Sequence, residues 1–178
     1  PGAISIIANG IDLGLFTGVT NVVVNGGAGH DLLDVWDIDI TGNLEVNGGA
    51  DDYDEIRLSS FYGDVSIGGN VTLTGGGQAG DTNQVFTAAS GTGDYGISIG
   101  KSLTMTSNGD GSSIYTAGYG DVEIGGNVVM TDNGALGDDG SLSINTYHAR
   151  GDILIHGSVK MNGGAGNDSL TIFANSYD

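Results

Sequence analysis

Five segments of this chain share one internal spacing. They are DIDITGNLEV (37–46), GDVSIGGNVTL (63–73), GDYGISIGKSLTM (93–105), GDVEIGGNVVM (120–130) and GDILIHGSVKM (151–161). Each is a short alternating run, a two-residue turn and a second alternating run. The second run begins four residues after Ile40, Ile67, Ile99, Ile124 and Ile155, at Leu44, Val71, Leu103, Val128 and Val159. Side chains alternate along a strand, so Leu44/Val46, Val71/Leu73, Leu103/Met105, Val128/Met130 and Val159/Met161 all point one way. The full period is irregular, with second runs starting 27, 32, 25 and 31 residues apart. One corner is therefore constant, and the other two hold all the variation.

After each second run comes a corner rich in glycine and aspartate, then a third apolar run. The third runs are DLLDV (31–35), DEIRL (54–58), NQVFT (83–87), SSIYT (112–116), SLSIN (141–145) and SLTIF (169–173). Three short strands per 22 to 32 residues, repeated with one fixed corner, predict a coil. The expected fold is all-β, a right-handed parallel β-helix of about six rungs with three short strands each. It forms one domain over residues 1–178, roughly 30 Å tall at about 4.8 Å per rung. No segment sustains a 3.6-residue spacing, and glycine recurs too often for helix. An antiparallel sandwich accounts for the turn spacing but gives no reason for one offset to repeat five times.

In the constant corner, position three after the isoleucine is Asn43, Asn70, Ser102, Asn127 or Ser158, which predicts a polar ladder along the axis. Position two is Gly42, Gly69, Lys101, Gly126 or Gly157, as expected where φ turns positive. ISIIANGIDLGL (4–15) aligns with IRLSSFYGDVSI (56–67), and PGAISIIANGID (1–12) with NDSLTIFANSYD (167–178). On this reading the chain enters and leaves on a third-type strand. No amphipathic capping helix is legible at either end, and open solenoid ends are unpaired strand edges. Expected partners are copies of the chain stacked head to tail, or adjoining repeats of the same chain. The start at Pro1 rather than Met fits a processed product or a piece of something longer.

Charge narrows the partners. Acidic residues number 22 against 4 basic, a formal charge of −18. That disfavours nucleic acid, whose phosphates need Lys and Arg, and anionic membrane surfaces. No apolar run approaches a membrane span, so membrane insertion is not expected. Cysteine is absent, which excludes disulfides and thiolate metal sites. The 35 glycines beside a single proline point to many tight turns rather than a Pro/Gly linker.

GGAGHDLLD (26–34) and GGAGNDSLT (163–171) resemble the hemolysin-type calcium-binding repeat, the RTX motif GGxGxDxLx, at every specified position. The resemblance implies Ca²⁺ held by the turn and by the aspartate carboxylate. The turn glycines would be Gly26, Gly27 and Gly29 with Asp31, and Gly163, Gly164 and Gly166 with Asp168. NGGADDYDEI (47–56) keeps two glycines and offers Asp51, Asp52 and Asp54 at altered spacing. TGGGQAGD (74–81), SNGDG (107–111) and DNGALGDDG (132–140) depart further and supply Asp81, Asp110, and Asp132, Asp138 or Asp139. RTX arrays repeat every nine residues, whereas this corner returns once per rung. The resemblance therefore covers the corners, about a fifth of the chain, inside a longer-rung solenoid of the kind found in bacterial surface proteins. Independently of any family, carboxylates stacked every ~4.8 Å repel, and a hard divalent ion with six to eight oxygen ligands relieves them.

A second acidic column, Asp12, Asp64, Asp94, Asp121 and Asp152, precedes the first-type strands and reads as turn formers. His30, His148 and His156 occupy dissimilar corners and suggest no metal site. Trp36, Tyr53, Tyr62, Tyr115 and Tyr119 are candidates for stacking sugars or for packing at rims, so cell-surface glycans are a further candidate partner. The expected function is structural: an extracellular or cell-surface β-solenoid, calcium-stabilised, in an adhesin, a coat or a head-to-tail filament. The alternative is a polysaccharide-binding or polysaccharide-degrading β-helix protein. Degradation needs a base beside a charge neutraliser, and Arg57 and Arg150 fall in different rungs, so no enzyme is expected. Asp51 and Asp54 would be the paired carboxylates of a glycosidase.

Overall fold

A computed structural model describes residues 3–8, 11–49, 53–76, 81–87, 94–108, 111–117, 119–134, 140–146 and 151–173. The described chain is a parallel β-solenoid with three sheets. The first contains β5 (Asp39–Ile40), β8 (Val65–Ile67), β11 (Ile97–Ile99), β14 (Val122–Ile124) and β17 (Ile153–Ile155), in that order. The second contains β3 (Val22–Gly27), β6 (Leu44–Gly49), β9 (Val71–Thr74), β12 (Leu103–Ser107), β15 (Val128–Asp132) and β18 (Val159–Asn162). The third contains β4 (Leu32–Trp36), β7 (Glu55–Ser60), β10 (Thr82–Thr87), β13 (Gly111–Thr116), β16 (Ser141–Thr146) and β19 (Ser169–Phe173). Among the described residues the chain thus winds through five three-strand rungs, preceded by a partial rung from β3 and β4. No described helix is long and apolar enough to cross a membrane.

The core is the set of columns that the alternation predicts. Val22, Leu44, Val71, Leu103, Val128 and Val159 lie in register, as do Val24, Val46, Leu73, Met105, Met130 and Met161. Ile40, Ile67, Ile99, Ile124 and Ile155 form the wall of the first sheet. On the third sheet Val35, Leu58, Val85, Ile114, Ile144 and Ile172 line up. From Ile38 to Ile144 these inward positions are almost wholly buried. Each apolar side chain packs above and below on its own counterpart, which is why the pattern must repeat rung by rung.

The constant corner carries a continuous ladder. The main-chain N–H of Asn43 donates to Asn21 Oδ1 (2.8 Å) and that of Asn70 to Asn43 Oδ1 (2.8 Å). Ser102 N–H follows onto Asn70 Oδ1 (3.2 Å), Asn127 onto Ser102 Oγ (3.1 Å) and Ser158 onto Asn127 Oδ1 (2.9 Å). The ladder is chiefly main chain to side chain rather than amide to amide. It also changes the account of the glycine beside it. None of Gly42, Gly69, Gly126 and Gly157 has positive φ. A Cβ on Gly69 would lie 2.4 Å from Asn43 Oδ1, so the residue is small to let the rung below reach in. Lys101 takes this position in one rung, and the ladder bond there is the longest of the five.

The N-terminus departs from the expectation. β1 (Ala3–Ala8) and β2 (Ile11–Thr17) pair with each other, antiparallel, as a two-stranded hairpin. The chain therefore does not enter on a third-type parallel strand, and its two ends do not share a phase. Ile4 packs against the core, so the hairpin closes the first-rung end of the apolar columns. At the other end Leu170 and Ile172 of β19 continue the core columns but are exposed.

Candidate functional site

The corner between the second and third sheets holds the aspartates. Pairing along the third sheet places Leu32, Glu55, Thr82, Gly111, Ser141 and Ser169 in one column. The residues just before them include Asp31, Asp54, Asp81, Gly140 and Asp168. The main chain stacks them directly: Glu55 N–H donates to Asp31 O, Thr82 N–H to Asp54 O and Ser169 N–H to Gly140 O. The side chains join in. Asp31 N–H donates to Asp54 Oδ1 (3.0 Å), and Asp54 N–H to Asp81 Oδ1 (2.8 Å). Asp54 and Asp81 are 2% and 0% exposed.

This geometry explains why glycine and aspartate come together. A Cβ on Gly48 would lie 2.4 Å from Asp54 Oδ2, so the carboxylate occupies the space a side chain would need. Gly26 stands in the same relation to Asp31, and Gly163 to Asp168. Gly27, Gly29 and Gly49 take positive φ of 106°, 108° and 142°, which complete the turn. Gly164 packs against Gly134, and Gly166 lies in an isolated bridge on an exposed part of the corner. Asp51, Asp52, Asp110 and Asp138 lie outside the described residues. Asp54 is the residue of its corner that joins the column. Counting back from the strand, rather than forward from the glycines, locates it.

The two motif copies sit in different surroundings. Asp31 begins an acidic stack with Asp54 and Asp81, whereas Asp168 follows Gly140 and faces the exposed last rung. In the stack, a Cβ on Gly76 would be 2.5 Å from Asp54 Oδ2 and 3.4 Å from both oxygens of Asp81. The two buried carboxylates are therefore within about 6 Å of each other. At an effective dielectric of about 20 their repulsion is about 3 kcal/mol when both are ionised. Asp31 Oδ2 is enclosed and accepts no hydrogen bond from the described residues. Asn83 adds an enclosed Oδ1 without a partner among the described residues, while its Nδ2 donates to Thr106 O (2.7 Å). All these groups are hard oxygens, the donor set that Ca²⁺ takes. No three His, Asp or Glu side chains converge among the described residues. Main-chain carbonyls and the Asn83 amide would have to complete any coordination shell.

The third corner has its own acidic column. Asp37 accepts the N–H of Phe61 (3.1 Å) and Tyr62 (3.1 Å), Asp64 that of Gly96 (2.9 Å), and Asp121 that of Asp152 (2.7 Å). The register of β8, β11, β14 and β17 puts Asp64, Gly96, Asp121 and Asp152 in line. Asp37 replaces Asp12, which lies in β2 of the hairpin, and Asp94 is two residues out of register. These carboxylates cap main-chain donors. Arg57 is held by Glu55 at 2.6 Å on the outer face of the third sheet, and Arg150 and His148 lie outside the described residues. His156 lies 2.9 Å from Glu123 on the surface. His30 contacts Tyr53 at 6.5 Å between ring centroids, at the surface of the Asp31 corner.

Comparison with protein-family models, with curated proteins and with solved structures finds no match.

Proposed function

We infer that this chain is a structural β-solenoid of an extracellular or cell-surface assembly, stiffened by Ca²⁺ at its glycine–aspartate corners. The observation that carries the reading is the pair of buried carboxylates, Asp54 and Asp81, within about 6 Å of each other in a chain of formal charge −18. Ca²⁺ would be held by the Asp54 and Asp81 pair, with corner carbonyls and the Asn83 amide completing the shell. When bound it supplies charge neutralisation and a rigid link between rungs. The GGAGND corner at Asp168 would take its share of ligands from whatever extends the last rung. The exposed Leu170 and Ile172 mark that rung as the face where further rungs, or another copy, would add. Stacking onto the first rung would require the β1–β2 hairpin to move aside, so the two ends are not equivalent for a head-to-tail contact.

Thermal unfolding in millimolar Ca²⁺ and in EDTA tests the metal. Ligand at 100 times its Kd adds about 2.7 kcal/mol to stability, so Tm should rise clearly with Ca²⁺ and the rise should shrink in Asp81→Asn. Identical melting in both buffers, in a well-folded sample, rejects the calcium part. Sedimentation velocity tests assembly. Association should weaken in a Leu170→Lys/Ile172→Lys variant, and indifference to that change rejects the last rung as the contact.

A further inference from the structure

The outer face of the third sheet carries a chemistry that the corners do not explain. Its outward column near the strand ends reads Trp36, Ser59, Phe86, Tyr115, Asn145 and Phe173. Four of these six are aromatic, and three of them, Trp36, Phe86 and Tyr115, are linked through Phe61 and Tyr62. Trp36 meets Tyr62 edge-on at 6.3 Å, Tyr62 meets Phe61 at 5.9 Å, and Phe61 meets Phe86 at 6.4 Å. Phe86 and Tyr115 stack in parallel at 4.9 Å with a 4° interplanar angle. Ser59 stands between Trp36 and Phe86 in the column and is fully buried, although its position points outward. The result is a continuous aromatic ridge across four rungs. Its Trp36 and Tyr62 rings are 50% and 72% exposed, so burial does not account for them.

Beside the ridge runs a strip of small uncharged polar groups. Thr82, Gln84, Ser113, Ser141 and Ser143 surround a shallow depression that Gly111 also lines. Its volume is about 190 Å³, below the ~300–1,000 Å³ of an enclosed small-molecule site. Tyr115 Oη contacts Gln84 Oε1 (3.5 Å), which ties ridge and strip together. At one end of the strip Arg57 is already paired with Glu55, beside Asp34.

We propose that this face binds a neutral polysaccharide lying across the rungs, its ring C–H faces on Trp36 and Tyr62 and its hydroxyls on the Ser/Thr/Gln strip. A pyranose is amphipathic in the same sense as the face, with apolar C–H faces and a polar rim. Aromatic rings with nearby hydroxyl and amide groups satisfy both sides at once. Charge selects among glycans. The strip is uncharged, Arg57 is engaged, and the net charge of −18 repels uronate or sulfate chains. The shallow, open shape suits a polymer passing over the surface rather than a small molecule being enclosed.

Affinity electrophoresis of the full chain through gels containing a soluble β-glucan, a galactomannan, dextran or polygalacturonate decides the matter. The expected result is retardation by at least one neutral polymer and none by polygalacturonate. Trp36→Ala/Tyr62→Ala should weaken the retarding interaction roughly tenfold or more, and Ser143→Arg, which fills the depression, should do the same. Leu154→Ala, an exposed residue of the first sheet, should change nothing. Circular dichroism melts of each variant keep folding separate from binding. No retardation by any neutral polymer, equal retardation of the variants, or preference for polygalacturonate overturns the proposal. Concentration-dependent self-association abolished by Trp36→Ala/Tyr62→Ala would instead make the face a contact between copies, and equally overturns it. None of these readouts depends on whether Ca²⁺ raises Tm.

Discussion

At the residue scale, the corners are built from side chains that occupy space a neighbour has vacated. Gly48 is needed because the Asp54 carboxylate lies where its Cβ would be, and no other residue type leaves that room. Gly48→Ala should therefore destabilise by about 2 kcal/mol or more, since the carboxylate must leave its N–H donor. Gly63→Ala is the contrasting case. The atoms nearest its Cβ would be those of the Asp37 side chain, at an ordinary 3.5 Å, and its φ is not in the left-handed region. It should be close to neutral, and paired melts of the two variants check the argument. Asp34 makes a different test. Partial desolvation on the outer face of the sheet raises its pKa above the usual carboxylate value, with Arg57 opposing the rise and Glu55 adding to it. A raised folded pKa means the folded state keeps its proton longer than the unfolded chain. Stability from this group is full below the ordinary carboxylate pKa and is lost as pH rises through the folded value. Asp34→Asn should then raise Tm modestly at pH 7 and leave it unchanged near pH 3. A larger gain at pH 3 than at pH 7 would contradict the sign.

At the element scale, each strand is too short to stand alone, and the corners join one rung to the next. Three ladders do this with different chemistry: Asn and Ser oxygens at the constant corner, and aspartate carboxylates at the other two. Asn127 accepts both the N–H and the hydroxyl of Ser158, at 2.9 and 3.0 Å. Asn127→Ala should cost about 1 kcal/mol, as for a neutral hydrogen bond near the surface. Met130→Ala in the core column should cost about 2–5 kcal/mol. The constant corner was legible because its spacing does not vary, and five of the six strands of the second sheet follow from it, all but β3. The aspartate register was only half legible. Asp31 and Asp168 carry a complete motif, but Asp54 and Asp37 are found only by aligning the strands they precede. The motif glycines point forward to Asp51 and Asp52, because loop length varies where strand register does not.

At the scale of the whole molecule, the two ends are unlike. The hairpin seats Ile4 on the first rung, while the last rung presents Leu170 and Ile172 to solvent. In a stack of nearest-neighbour contacts, a rung with one neighbour is held less firmly than a rung with two. Hydrogen exchange should therefore be fastest in β17–β19 and slowest in β9–β12, and uniform protection along the stack would contradict a rung-by-rung account. The sequence by itself determined the periodic part: three strands per rung, the inward columns, the polar corner and, among the described residues, the absence of helix. Those features depend on alternation and fixed offsets, which are local and repeat. Only the tertiary structure decided which acid stands over which, that the N-terminal segment folds on itself, and that Phe61 and Phe86 join Trp36, Tyr62 and Tyr115 in one ridge. The hairpin is a local pairing, but the acid stack and the ridge join residues 20 to 35 positions apart through loops of unequal length, and only the winding of the chain about its axis brings them into register.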